Sequence, residues 1–188
     1  MDKVKYIKDS IEIKQKILSD KDFLLQIDNV AEKIIKCYET DNKVLIAGNG
    51  GSANDAQHIA GEFIAKMFVV RKALSAIALS ANSAVVTAIA NDTEYKNIFS
   101  RQIEALGRKE DIFIALSTSG NSENIVKALE VAKQKGCITI GFTGENTCKI
   151  EGLCDYIFKI PTQSVPQIQE TYMMICHIIC AIVEKHFS

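Results

Sequence analysis

The chain has 188 residues, with 22 Lys and Arg against 23 Asp and Glu, a net charge of −1 at neutral pH and 47% apolar residues. That length fits one domain with its own core, and a near-zero charge without a basic stripe argues against nucleic-acid binding through phosphate neutralisation. Trp is absent and only 7% of residues are aromatic, so there is no base-stacking platform either.

The first element, residues 1–40, is expected to be a helical hairpin. Val4, Ile7 and Ile11, then Ile17 and Leu18, then Ile27, Val30, Ala31, Ile34 and Ile35 recur at helical spacing. Ser19 or Asp20 could cap the second helix. The hairpin carries no chemistry of its own and packs on a partner subunit or flanks the sheet. Met1–Ser10 is charged and lacks the apolar core of a signal peptide. No apolar stretch reaches membrane-spanning length, and the expected location is the cytoplasm.

From residue 41 to 188 short apolar runs alternate with longer amphipathic stretches. The runs Lys43–Ala47, Ala76–Leu79, Asp111–Leu116, Ile138–Phe142 and Tyr156–Ile160 are bounded by Gly, Ser, Asn or Asp, as buried parallel strands are. Helices are expected near 53–67, 82–90, 94–106 and 122–135, with a short one near 147–151 and a closing helix over 165–186. This alternation predicts a single α/β domain, a doubly wound sandwich with about five parallel strands. Ligands in such folds sit at the carboxyl ends of the strands.

The loop after the first strand, Gly48–Asn49–Gly50–Gly51–Ser52, leads directly into a helix. A strand, a glycine turn and a helix N-terminus together present free N–H groups and a positive dipole end to an anion. The same helix carries His58 and Glu62 four residues apart, on one face. Gly48-x-Gly50-x-x-Ala53 fits the dinucleotide fingerprint formally, but no acid follows the second strand until Asp92, which argues against a nucleotide cofactor. After the third strand, Ser117–Thr118–Ser119–Gly120–Asn121–Ser122 places four hydroxyls at the start of a helix. One hydroxyl suffices for capping, so this loop is read as a phosphate site built from hydroxyls and helix N–H groups.

Asn91 and Asp92 form a polar break between two expected helices. Asp92 is equally an N-cap of a Thr93–Ala105 helix and a substrate residue. In the last helix Gln167, Gln169, Glu170, Tyr172 and His177 interrupt an apolar sequence, and Gln169 and His177 are eight residues apart, about two turns. The cysteines Cys37, Cys137, Cys148, Cys154, Cys176 and Cys180 form no C-x-x-C pair and read as small buried hydrophobes. A metal site from Cys176, His177 and Cys180 is the weaker alternative, because helix neighbours point about 100° apart.

Taken together, GNGGSANDAQHIAGEF at 48–63, AIAND at 88–92, FSRQIEALGR at 99–108, LSTSGNSENIVKAL at 116–129 and IQETYMMICHIIC at 168–180 resemble the SIS (sugar isomerase) family and, within it, the phosphoheptose isomerases. The resemblance implies conversion of sedoheptulose 7-phosphate to D-glycero-D-manno-heptose 7-phosphate, the first step towards nucleotide-activated heptose for bacterial surface glycans. It implies that Asn49, Gly50, Gly51, Ser52, Asn91, Asp92, Ser117, Thr118, Ser119 and Ser122 contact the sugar phosphate, together with Glu62 and Gln169. It implies that His58, Glu62, Gln169 and His177 bind zinc, and that the chain assembles as a homotetramer with active sites at subunit interfaces. Pro166 stands where relatives are expected to be polar; a proline in a first helical turn is benign, and it receives no site role.

Aldose–ketose isomerisation moves a proton between adjacent carbons through an enediol, and a carboxylate and an imidazole suit that work at neutral pH. Glu62 is assigned as the base at C1 and C2, and His177 as the acid between O1 and O2. A metal-bound Glu62 is a weaker base, so the carboxylate either leaves the metal during turnover or holds only one role. The rival readings are a non-catalytic SIS tetramer that binds a replication initiator, an isomerase of another sugar phosphate, and a sugar-phosphate-sensing regulator, for which the chain has no DNA-binding domain.

Overall fold

The computed structural model describes residues 2–188; Met1, the first residue of the expected hairpin, lies outside them. Helices α1 (Lys3–Ser19) and α2 (Lys21–Glu39) form the hairpin. The junction is Asp20, whose carboxylate accepts the Phe23 N–H at 3.0 Å and so caps α2. Ser19 instead bonds back to the Gln15 carbonyl. Ile13, Ile17, Ile27, Val30 and Ile34 are buried, whereas Val4, Ile7, Ile11 and Leu18 on α1 are exposed.

The core alternates β1 (Val44–Gly48), α3 (Gly51–Ile64), β2 (Ala76–Ala78), α4 (Ser83–Asp92), α5 (Ser100–Leu106), β3 (Ile112–Leu116), α6 (Glu123–Gln134), β4 (Ile138–Gly144), β5 (Tyr156–Ile160) and α7 (Val165–His186). The five strands are all parallel, in the order β2-β1-β3-β4-β5. Side chains alternate across the sheet. Val44, Ile46, Ile112, Ile114, Ile140 and Phe158 face α2, α3 and α7, while Leu45, Ala47, Phe113 and Ala115 face α5 and α6. Both faces are covered, which is why the strands read as predominantly apolar runs, broken by Thr139 and Thr143 in β4 and Lys159 in the edge strand β5.

Three expectations need correction. No helix spans Thr93–Ala105: Asp92 is the last residue of α4, and Thr93 closes that helix by donating its hydroxyl to the Ile89 carbonyl at 2.7 Å. The chain then passes through a 3₁₀ turn at Tyr95–Asn97 before α5, so the N-cap reading of Asp92 is overturned. The short helix near 147–151 is a 3₁₀ turn at Glu151–Leu153. The helix expected over 53–67 starts earlier, at Gly51, and stops at Ile64. Beyond it, Glu184 of α7 captures the N–H groups of Met67, Phe68 and Val69, which diverts the backbone from helical bonding.

Candidate active site

Sheet order reverses direction between β1 and β3, which are adjacent although β2 lies between them in sequence. A crevice opens at such a switch point beyond the carboxyl ends of the strands. The two loops singled out in the sequence, after β1 and after β3, both emerge there. Their helices share a feature relevant to anion binding. Gly50 and Ser122 are the N-caps of α3 and α6, and neither supplies a side-chain cap hydrogen bond. The Gly50 and Ser122 carbonyls take the N–H groups of Ala53 and Ile125, which leaves the N–H groups of Gly51, Ser52, Glu123 and Asn124 to an external partner.

In the β3 loop, Ser117 and Ser122 hydroxyls lie 3.4 Å apart across the turn. Gly120 adopts φ +63°, and Ser119 and Asn121 hold the turn through the Asn121 N–H to Ser119 Oγ contact at 3.2 Å. Asn121 Oδ1 accepts the Lys149 N–H at 3.0 Å, which fastens the loop from behind. Asn49 of the β1 loop is tied to α6 by a reciprocal amide pair: Asn49 Nδ2 donates to Asn124 Oδ1 at 2.9 Å, and Asn124 Nδ2 donates to Asn49 Oδ1 at 2.8 Å. The Tyr95 hydroxyl adds a third bond to Asn49 Oδ1 at 3.1 Å. A cavity of about 550 Å³ opens here, lined by Asn49, Tyr95, Ser122 and Asn124 with the charged Glu94, Lys96 and Glu123. A more apolar groove of about 680 Å³, between α4 and α5, shares no residue with these loops.

About two turns further along α3, His58 Nε2 lies 3.1 Å from Glu62 Oε1. From α7, His177 Nε2 approaches His58 Nε2 to 3.4 Å. The donor atoms of His58, Glu62 and His177 all lie within 4.8 Å of one another. Two ligand nitrogens on a tetrahedral zinc, each about 2.0–2.1 Å from it, stand about 3.4 Å apart. The imidazole spacing therefore fits a shared metal, and the carboxylate supplies a third donor of suitable chemistry. Gln169, the expected fourth member, is placed differently. Its Nε2 contacts Ser52 Oγ at 3.4 Å, and its Oε1 takes no hydrogen bond from the described residues. Gly51 makes that approach possible, since a Cβ there would sit 2.6 Å from the Gln169 nitrogen.

Ser52 also contacts the Tyr172 hydroxyl at 2.8 Å, and that hydroxyl lies 2.5 Å from Asp55 Oδ2. Burial first, and then the Asp55 hydrogen bond, push the Tyr172 phenol far up. Asn91 and Asp92 are exposed, and their side chains hydrogen-bond only to one another among the described residues. Gln167 and Glu170 serve elsewhere, binding the Tyr6 carbonyl and the Ser10 and Lys14 side chains of α1. The Cys176–His177–Cys180 metal reading fails: both thiols are buried in the core, and only His177 reaches the cluster. The sequence reading missed Asn124, Tyr95 and Asp55. Asn124 carried a signal, being a polar residue in register with the buried Ile125, Ala128 and Leu129 of α6.

Fold and site thus define a sugar-isomerase-domain class of protein, and a model of the SIS domain family matches residues 5–144. A phosphoheptose isomerase of Aneurinibacillus thermoaerophilus is 50% identical over 180 residues, 96% of this chain and 91% of that protein. One from Clostridium acetobutylicum is 51% identical over 179 residues, 95% and 91% of the two chains. Among solved structures, a phosphoheptose isomerase from Francisella tularensis superposes with a TM-score of 0.91 at 32% identity, covering 96% of this chain and 95% of that one. That from Neisseria gonorrhoeae gives 0.89 at 33% identity, covering 97% and 96%. The chain belongs to the SIS domain family, among its phosphoheptose isomerases.

Proposed function

We propose that this isomerase interconverts sedoheptulose 7-phosphate and D-glycero-D-manno-heptose 7-phosphate, as the first step towards nucleotide-activated heptose. The observation that carries the reading is that the α3 and α6 N-termini, neither with a side-chain cap, meet at one end of the sheet, with His58, Glu62 and His177 clustered about two turns along α3. In this reading Ser117, Thr118, Ser119 and Ser122, with the α6 N–H groups, hold the phosphate. Asn49, Gly50, Gly51 and Ser52 hold the sugar. The phosphate is remote from the reacting carbons, so its binding energy orients the substrate rather than stabilising the enediol directly.

Glu62 removes the proton from C1 and returns it to C2 on one face of the enediol. His177 moves protons between O1 and O2. His58, Glu62 and His177, joined by Gln169, would hold one zinc, which when bound supplies Lewis-acid polarisation of the substrate oxygens. The exposed Val4, Ile7 and Ile11 of α1, with Phe68 and Val70, support assembly into a homotetramer. In that assembly Asn91 and Asp92 complete the substrate site across a subunit boundary. Six free cysteines support a reducing, cytoplasmic setting. Among the described residues no helix is long and apolar enough to cross a membrane.

The test is incubation with sedoheptulose 7-phosphate in D2O, followed by NMR. Aldoheptose 7-phosphate carrying deuterium at C2 is expected, with loss of turnover in Glu62→Gln and His177→Gln. Full activity in Glu62→Gln would remove its role as base.

A further inference from the structure

Ser52, Asp55, His58 and Glu62 occupy one face of α3, and Gln169, Tyr172 and His177 occupy the facing side of α7. The His58, Glu62 and His177 end of this seam has an assigned chemistry. At the other end Asp55 and Tyr172 have no assigned role, yet that end is the better buried: Tyr172 is fully enclosed, and Ser52 is only 5% exposed. Tyr172 Oη touches both Ser52 Oγ and Asp55 Oδ2 but owns a single proton. A carboxylate only accepts, so that proton goes to Asp55. Tyr172 Oη must then accept from Ser52, which spends the one Ser52 proton. The Ser52 oxygen is left as an acceptor, and a Gln169 amide can approach it only with its NH2 group. The contact there is Gln169 Nε2, seated in the gap beside Gly51.

We infer that Asp55 and Tyr172 are positioning residues that fix the amide of Gln169 with its nitrogen on Ser52 and its carbonyl oxygen free to serve as a metal ligand. Each bond in the series Gln169 to Ser52 to Tyr172 to Asp55 is directed by the next, and Asp55 sets the direction. The inference rests on the proposed zinc site, because an amide coordinates through its oxygen and not through its NH2 group. An undirected Gln169 would present the wrong end part of the time and bind the metal more weakly. The partners behind metal ligands commonly matter about 10–100-fold in affinity.

The experiment is a double-mutant cycle between Tyr172→Phe and Gln169→Glu. Zinc affinity of the metal-stripped protein is measured by competition with a chromophoric chelator, and thermal unfolding is recorded alongside. Tyr172→Phe frees the Ser52 hydroxyl to donate to the Gln169 oxygen. It is expected to weaken zinc binding about 10–100-fold in the native background. In the Gln169→Glu background the side chain has two equivalent oxygens and no orientation to lose, so the same substitution is expected to change affinity less than about threefold. A general packing defect would weaken both backgrounds alike, and that result overturns the inference. Unchanged affinity in Tyr172→Phe overturns it, and so does absence of zinc binding by the native protein. Turnover of sedoheptulose 7-phosphate by the native protein is scored separately, so failure of the functional reading is told apart from failure of this one.

Discussion

Glu184→Ala tests how α3 and α7, the helices that carry His58, Glu62 and His177, are held together. The Glu184 side chain on α7 is 2% exposed. Its carboxylate accepts N–H groups from Met67, Phe68 and Val69 at 2.8, 2.7 and 3.3 Å. The Arg71 guanidinium, 1% exposed, lies 3.7 Å away, and its Nε has no hydrogen-bond partner. Arg71 also donates to the Glu62 carbonyl at 2.7 Å, so Glu184 steadies the end of α3 that carries His58 and Glu62. Removing one partner of a buried pair strands the other and costs about 3–5 kcal/mol. At about 2–4 °C per kcal/mol for a chain of this size, Tm falls by about 6–20 °C. Adding Arg71→Met removes the unpaired charge but also the Arg71 bonds to the Glu62 and Lys72 carbonyls, so it recovers only part of the loss.

The assay is thermal unfolding by circular dichroism at fixed protein concentration, since self-association would shift Tm by mass action. Burial pushes the Glu184 carboxyl up, but the three N–H donors and Arg71 outweigh it and hold it below the usual carboxylate range. Its folded value being the lower one, its contribution is complete above the unfolded value, about 4.3. That contribution is lost as pH falls through the depressed folded value. Glu184→Ala therefore also flattens this part of the acid limb. A Tm drop below about 2 °C, with an unchanged acid limb, would refute the reasoning.

Asn124→Ala deletes both bonds of the amide pair with Asn49 and is expected to raise KM for the sugar phosphate about tenfold, by roughly 1.4 kcal/mol, with a smaller effect on kcat; steady-state kinetics would show an unchanged KM if the pair has no part in holding the loop. Gly120→Ala combines a left-handed backbone with a Cβ that collides with the Cys148 sulfur. Competitive inhibition by inorganic phosphate should weaken at least about tenfold, and a native inhibition constant would show the loop is not the phosphate site. Burial pushes the thiols of Cys37, Cys154 and Cys180 up to about 12 and that of Cys137 to about 11. Iodoacetamide at pH 8 should therefore label the partly exposed Cys148 first, as read by mass spectrometry; equally fast labelling of Cys154 would contradict this.

Much of the molecule was legible before folding. Strands buried on both faces must be largely apolar, so β1 and β3 showed themselves as uninterrupted runs and β4 and β5 as runs broken only by Thr139, Thr143 and Lys159, while Ser19 and Asp20 marked the hairpin turn because a helix start needs an acceptor, the structure choosing Asp20. His58 and Glu62 were visible as a pair because helical periodicity alone puts them on one face. Local pattern misled at Asp92, where an acidic residue after a helical stretch looks the same whether it ends one helix or caps the next. What needed the tertiary structure was every relation between distant segments. His177 lies 119 residues from His58, and only the packing of α7 on α3 brings the imidazoles to 3.4 Å. The Asn49–Asn124 pair exists because β1 and β3 are neighbours in the sheet, an order set by how helices cover both faces rather than by any residue in the loops. The contacts running from Gln169 through Ser52 and Tyr172 to Asp55 belong to that same class, because they join α7 to α3 across more than a hundred residues of sequence.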